Sequence, residues 1–139
     1  MRTHFLLSEN LVSIDEFKSL LQFDNCGAEA IFMGVVRNTN QSKIVTHLEF
    51  EAYSPMFYME LNKIAEQLRL QFDFKVIALH HRKGIVAAGE MAVIAGISST
   101  HRQDAFLALA ELMNQLKKTV PIWKKEVYTD GNYWLSSTP

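Results

Sequence analysis

Between Ile44 and Phe72 the apolar period changes at one dipeptide, Ser54-Pro55, and this change rules out an all-α or an all-β chain. Before it, Ile44, Thr46, Leu48, Phe50 and Ala52 alternate with His47, Glu49 and Glu51, the pattern of a half-exposed strand over Ile44–Tyr53. After it, Phe57, Leu61, Ile64, Leu68 and Phe72 recur at helical spacing to about Phe72. Ser54 suits an N-cap and Pro55 the first helical position, where its missing N–H costs nothing.

The same two periods organise the rest. Thr3–Leu7 reads as a short strand. Ser13-Ile14-Asp15-Glu16 is a capping box opening a helix to about Phe23, closed by Asp24-Asn25-Cys26-Gly27. Ala28–Arg37 is a dense apolar run that predicts a buried strand, and Asn38–Lys43 a polar loop. Phe74–Arg82 and Glu90–Ile97 read as strands joined by a segment punctuated by Gly84 and Gly89. A helix follows over about Thr100–Thr119, stopped before Pro121. Ile122–Tyr128 is the last clear strand, and Thr129–Asn132 a turn before Tyr133-Trp134-Leu135. The order β-α-β-β-α-β-β-α-β predicts an α+β fold with a largely antiparallel sheet. No repeat, low-complexity tract or linker interrupts it, so residues 1–139 are expected to form one domain.

Composition excludes several function classes. Lysine and arginine total 14 against 15 acids, a formal charge of −1, whereas a general polyanion binder shows a basic excess. Cys26 is the single cysteine, which rules out an internal disulfide or a cysteine-held metal and suits a reducing compartment. No apolar run approaches the ~20 residues of a membrane span. The opening MRTHFLLSENLVS makes a poor signal peptide, because Ser8, Glu9 and Asn10 break its apolar stretch. A cytoplasmic globular protein is expected.

Against that near-neutral background, KKTVPIWKKE (Lys117–Glu126) concentrates four lysines around Pro121 and Trp123. Phe106, Leu109, Met113 and Leu116 predict the apolar seam of the preceding helix. Lys117 borders that seam, while Lys118 falls with Glu111 and Asn114 on the polar face and is expected to be solvated. A lysine at a core edge can simply snorkel. Partial desolvation there also lowers its pKa, the condition under which lysines act as nucleophiles or acid–base groups. Beyond Pro121, strand alternation groups Lys124 with Glu126, and Lys125 with Trp123 and Val127. It does not choose between Lys124 and Lys125 as the one facing Lys117.

The start of that helix carries the wrong charge. Ser99 or Thr100 is a natural N-cap, yet His101 and Arg102 then occupy the first turn, where the helix dipole disfavours cations. Asp104 offsets part of this. A bound anion explains it better, since free backbone N–H groups and two cationic side chains would converge on it. Arg37, leaving a strand into Asn38-Thr39-Asn40, is a third candidate anion ligand. His80-His81 suggests a metal pair, but neighbours on a strand point to opposite faces, so a structural role is expected. Cys26 lacks a basic neighbour and is expected to be inert. No Walker loop, G-x-G-x-x-G or G-x-S-x-G occurs.

Taken together, FMGVVRN (Phe32–Asn38), LEFEAY (Leu48–Tyr53), HRKG (His81–Gly84), SSTHRQDAF (Ser98–Phe106) and LKKTVPIWKKE (Leu116–Glu126) resemble the large, catalytic subunit of molybdopterin synthase. The likeness runs from about Gly27 to Trp134. Each piece is weak alone, but the ordered combination of G-x-V-R-N, T-H-R and L-K-x-x-x-P-x-W-K is specific. The resemblance implies an α/β hammerhead with an additional antiparallel β-sheet, and sulfur transfer in molybdenum cofactor synthesis. Cyclic pyranopterin monophosphate would become the molybdopterin dithiolene. The sulfur would come from a thiocarboxylate on the C-terminal Gly-Gly of a small ubiquitin-like carrier.

It further implies a homodimer of large subunits, a heterotetramer with the carrier, and no resident cofactor or metal. By motif, Lys117 and Lys124 take the catalytic positions, and Arg37, His101 and Arg102 the substrate-anion positions. Val35, Val36, Lys125 and Glu126 would line the same pocket, with Phe32 shaping its floor. One departure stands out. The family often carries a basic residue beyond the final tryptophan, reaching the neighbouring subunit's site, and residues 135–139 contain none. The rival classes are a non-catalytic phosphate-ligand or RNA-binding module on the same basic pocket, and a scaffold for a ubiquitin-like protein. Near-neutral charge and the lack of a stacking motif disfavour RNA.

Overall fold

The computed structural model describes residues 1–136. In chain order its elements are β1 (Arg2–Ser8), α1 (Ile14–Leu20), β2 (Ala28–Val35), β3 (Thr39–Asn40), β4 (Lys43–Ala52) and α2 (Ser54–Arg69). There follow β5 (Val76–Arg82), β6 (Gly84–Ala87), β7 (Met91–Ser99), α3 (Arg102–Thr119), β8 (Ile122–Tyr128) and β9 (Tyr133–Ser136). Of the tail without a basic residue, Ser137, Thr138 and Pro139 lie outside the described residues.

A four-stranded sheet runs β1-β5-β7-β2, with β1 and β5 parallel and the other pairs antiparallel. Central strand β5 is buried on both faces, as its run Val76-Ile77-Ala78-Leu79 dictates. Helices α2 and α3 cover one face, packing Phe57, Leu61, Leu68, Leu112 and Leu116 over Ile77, Leu79 and Ile97. On the other face α1 sets Phe17 and Leu21 against Val76, Ala78 and Ile94. Each such side chain contributes about 1.5–3 kcal/mol when fully buried. Gly96 makes this second layer possible, because a Cβ there would stand 2.7 Å from Leu21 Cδ1 and 3.0 Å from Phe17 Cε2. The second sheet runs β3-β4-β8-β9, with β6 also paired to β4. Gln41 and Ser42 both take positive φ, 49° and 69°, in the tight turn joining β3 to β4. This α+β arrangement of two mainly antiparallel sheets matches the fold class expected from the element order.

Several local expectations are corrected. Strand β2 is an edge strand and is far from buried: Phe32, Met33 and Val35 are exposed because only β7 pairs with it among the described residues. In β4 the pairing register shifts between Val45 and His47, so Thr46 is bulged. Val45 therefore joins the core and Ile44 and Thr46 face outward, contrary to strict alternation. Helix α2 ends at Arg69 and begins at Ser54 itself, so Tyr53 is the N-cap and no side chain caps it. Ser99 is the last residue of β7, paired with Ala28, so it cannot cap α3 either. His101 is the N-cap there, without a side-chain bond, and Ser99 Oγ donates to its carbonyl. The buried seam of α3 is Ala105, Ala108, Leu109, Leu112 and Leu116, and Phe106 is 64% exposed. The Ser13 cap stands as expected, its Oγ accepting from Glu16 N–H at 3.1 Å.

Candidate active site

Where the two sheets meet the C-terminal end of α3, they enclose a cavity of about 380 Å³. The end of β2 and the following residues bring Phe32, Val35, Val36 and Arg37 to it. From β4 come Val45, Leu48 and Phe50, and from the last turns of α3 Met113, Leu116 and Lys117. Strand β8 supplies Lys124 and Glu126, opposite Phe50 and Leu48 of β4. The turn at Pro121 makes this convergence possible. Val120 ends α3 in an extended conformation, as a residue before proline must, and the chain returns at once along β4.

The cavity holds three cationic side chains, Arg37, Lys117 and Lys124, and none has a carboxylate within ion-pair distance among the described residues. Its buried carboxylate, Glu126, accepts a hydrogen bond from Asn40 Nδ2 at 2.7 Å on Oε1. Burial pushes the Lys124 ammonium below the usual lysine range; Glu126 opposes this, and Lys117 and Arg37 add to it. An acidified, partly desolvated lysine next to a second lysine is suited to donate a proton and to stabilise developing negative charge. Apolar walls and unpaired cations together describe a site for an anionic, partly flat ligand.

The remaining candidates lie elsewhere in the chain. Lys125 is on the opposite face of β8, in a broader cavity of about 790 Å³ with Glu49, Trp123, Trp134 and Leu135. There its Nζ stands 3.5 Å from Glu49 Oε2 and 4.5 Å from the centre of the Tyr133 ring. Contrary to expectation, Lys125 does not line the smaller cavity with Arg37 and Lys117, because strand alternation turns it to the other face of β8, while Lys124 borders both cavities. His101 and Arg102 line a third cavity with Gly27, Ala28 and Phe106, at the other end of α3. The helix rise of ~1.5 Å per residue puts Arg102 on the order of 22 Å from Lys117, too far to share one small ligand within a chain. Lys118 is exposed and lines none of these three cavities.

Two residues, one bonded to Glu126 and one lining the cavity, escape sequence reading. Asn40 looked like loop filler, and only the β3–β4 hairpin brings it to Glu126. In sequence His81 reads as one half of a metal pair with His80. It is buried, its ring edge-on to Phe50 at 5.0 Å, and it lines the cavity. His80 lies on the other face against Phe17.

Comparison with known proteins agrees with this picture. The family model described as MoaE protein matches residues 7–119. The molybdopterin synthase catalytic subunit of Taeniopygia guttata is 43% identical over 130 residues, covering 93% of this chain and 83% of that protein. The crystal structure of molybdopterin synthase from Staphylococcus aureus superposes with a TM-score of 0.89 at 28% identity, covering 95% of this chain and 96% of that one. A complex of subunits 1 and 2 of the molybdopterin-converting factor from Helicobacter pylori shares the fold, with a TM-score of 0.72 at 19% identity over 92% of this chain and 86% of that one. The chain belongs to the MoaE protein family, the catalytic subunits of molybdopterin synthase, and its role lies in molybdenum cofactor biosynthesis.

Proposed function

We propose that the Arg37–Lys117–Lys124 cavity binds cyclic pyranopterin monophosphate and carries out the sulfur transfers that make the molybdopterin dithiolene. The observation that carries this reading is the convergence of three cations without ion-pair partners in one half-apolar cavity. Sulfur arrives as the thiocarboxylate of a small ubiquitin-like carrier ending in Gly-Gly, a tail thin enough to reach the half-buried Lys124. The thiocarboxylate sulfur forms a C–S bond to a side-chain carbon of the pterin as that carbon's bond to oxygen breaks and the oxygen leaves protonated. Water then cleaves the acyl–sulfur bond, releasing the carrier as its carboxylate. Two sulfurs require two carrier turnovers. Lys124, with its lowered pKa, supplies protons to leaving oxygens, and Lys117 stabilises the oxyanions that form. Arg37 binds anionic oxygen, Val35 and Val36 pack on the ring, Phe32 shapes the floor, and the nearby Glu126 carboxylate limits the fall in the Lys124 pKa.

His101 and Arg102 enter this site from a second copy. Strand β2 is an exposed apolar edge that begins beside their cavity, at Ala28, and ends beside Arg37. An isologous antiparallel contact along β2 would lay the start of one strand beside the end of the other. That places the second copy's cationic helix start at the first copy's lysines. A homodimer carrying one carrier per large subunit, a heterotetramer located in the cytoplasm, completes the reading.

The deciding assay incubates the protein with cyclic pyranopterin monophosphate and thiocarboxylated carrier, sulfide excluded, and measures dithiolene product. No product would defeat the proposal, as would full turnover with a carrier lacking its two terminal glycines. Mixing inactive Arg102→Ala and Lys117→Ala chains tests the shared site. Random pairing should restore about a quarter of wild-type activity, since half the dimers then hold one intact site of two. No restoration would place both residues in one chain's site.

A further inference from the structure

We propose that His81 contacts the substrate, its Nε2 accepting a hydrogen bond from an N–H of the bound pterin; this rests on the pterin reading above. His81 sits near the end of β5, 1% exposed, and lines the cavity beside Phe50. Its ring is fixed on two sides. Phe50 meets it edge-on at an interplanar angle of 77°, and Nδ1 lies 2.7 Å from the Arg82 carbonyl oxygen. A carbonyl only accepts, so Nδ1 carries the proton and the lone pair is on Nε2.

That lone pair has no protein partner among the described residues. The sealed, unpartnered side-chain nitrogen is instead Nδ1 of His80, on the opposite face of the strand against Phe17. The two adjacent histidines therefore differ. His80 is closed into the layer under α1, whereas His81 presents an acceptor to the cavity.

Side-chain acceptors are few in the cavity. Arg37, Lys117 and Lys124 are donors only, the Glu126 carboxylate takes one bond from Asn40, and besides it and His81, Thr39 and Asn114 are the other lining side chains able to accept. A pterin desolvated against Val36, Leu48 and Val93 must still find acceptors for its ring N–H groups. A second carboxylate here would be drawn into ion pairs with the lysines. A neutral imidazole would not, and burial keeps this ring neutral by lowering its pKa to about 4. With that value the ring is a weak base near neutral pH, which fits a binding contact better than proton abstraction.

The test measures binding of cyclic pyranopterin monophosphate, and inhibition by inorganic phosphate, in wild type, His81→Asn and His81→Gln. Asparagine can keep the donor to the Arg82 carbonyl but does not reach the Nε2 position; glutamine places an oxygen there. His81→Asn should weaken pterin binding roughly ten-fold, the cost of one unmet hydrogen bond, with phosphate inhibition unchanged. His81→Gln should stay within about three-fold of wild type on the same scale. Wild-type pterin affinity in a folded His81→Asn protein overturns the proposal, and so does equal loss for pterin and phosphate, which would mean a structural role. Should neither variant fold, ¹⁵N spectra of the wild-type imidazole decide, because the Nε2 resonance must move on saturation with the pterin and a stationary one sinks the idea. Failure of the wild type itself to bind the pterin defeats the parent reading, while intact wild-type binding with an indifferent His81 defeats only this one.

Discussion

Lys124 and Lys125 are neighbours on one strand, and the two faces of β8 treat them in opposite ways. Lys125 has a carboxylate within ion-pair distance, an aromatic ring beneath it and open solvent around it. Lys124 is half-buried, has two other cations for company, and shares Glu126 with Asn40. On the first face charge is compensated, as surface charge usually is, and the arrangement contributes little beyond solubility. On the second, positive charge is concentrated without a full counter-charge, which costs folding free energy unless a ligand supplies the missing anion. Uncompensated charge in a desolvated place marks the site, and the mere presence of lysines does not.

The sharpest way to break this comparison is to remove the cavity lysines one at a time. Lys124→Ala and Lys117→Ala should each cut turnover by roughly 10²-fold or more, the scale of a lost acid or oxyanion-stabilising group. Both variants should stay folded, since neither side chain fills the core. Lys118→Ala, exposed like Lys117 but outside the cavity, should leave turnover nearly unchanged. Equal small losses at all three positions would reduce the stretch to a basic surface.

Acid stability tests the desolvation of the same cavity. Burial holds His81 at about 4 in the folded protein, below its ordinary value of 6.5. Between those values the unfolded chain binds the extra proton and the folded one does not, so stability should fall as pH drops from 6.5 towards 4. The loss assignable to His81 is about 3 kcal/mol when complete, and His80, also lowered by burial, acts in the same direction. Urea denaturation at stepped pH should show this slope, and His81→Gln should flatten it. An unchanged slope would mean that the ring is better solvated than its burial implies.

How much of this was legible beforehand depends on which forces decided each element. Strand β8, the Pro121 turn and the grouping of Lys124 with Glu126 could be read directly, because alternation and proline chemistry are local. The face that Lys124 chooses could not, because the pairing of β8 between β4 and β9 sets it. The Thr46 bulge inverted half of an otherwise clean alternation, and nothing in Ile44-Val45-Thr46 announces it. The extent of helix α3 is legible but its seam is not: Ala105 and Ala108 give close helix–sheet packing with a weak apolar signal, while the large Phe106 is turned outward. The apolar run of β2 signalled burial although the strand lies at a sheet edge, where burial would need a second chain. Asn40 reaches Glu126, and His81 the cavity, only through tertiary pairing.

Asn40 offers a subtler test. Its amide holds Glu126 Oε1, and without that bond the carboxylate keeps only the Tyr128 hydroxyl as a restraint and can shift towards Lys124 to form a direct pair. A tighter pair would raise the Lys124 pKa again and weaken it as a proton donor. Asn40→Ala should lower kcat by about ten-fold with KM little changed, the signature of a lost transition-state interaction. A matching rise in KM instead would assign Asn40 to substrate binding.

The smallest effect is expected on the other face of β8. Lys125 and Glu49 are both substantially exposed, and their 3.5 Å contact is of the kind that contributes roughly 0.2–1 kcal/mol. A double-mutant cycle of Lys125→Ala and Glu49→Ala should return a coupling in that range, shrinking as salt is added. Turnover in Lys125→Ala should stay within about three-fold of wild type, because the loss of a screened surface charge changes the field at the cavity only slightly. The strand offers its own control, since Lys124→Ala removes the same atoms one residue earlier. If Lys125→Ala lost as much turnover as Lys124→Ala, compensation of charge would not be what distinguishes the two faces. The catalytic site would then have to extend into the Trp123–Trp134 cavity, which Lys124 also borders.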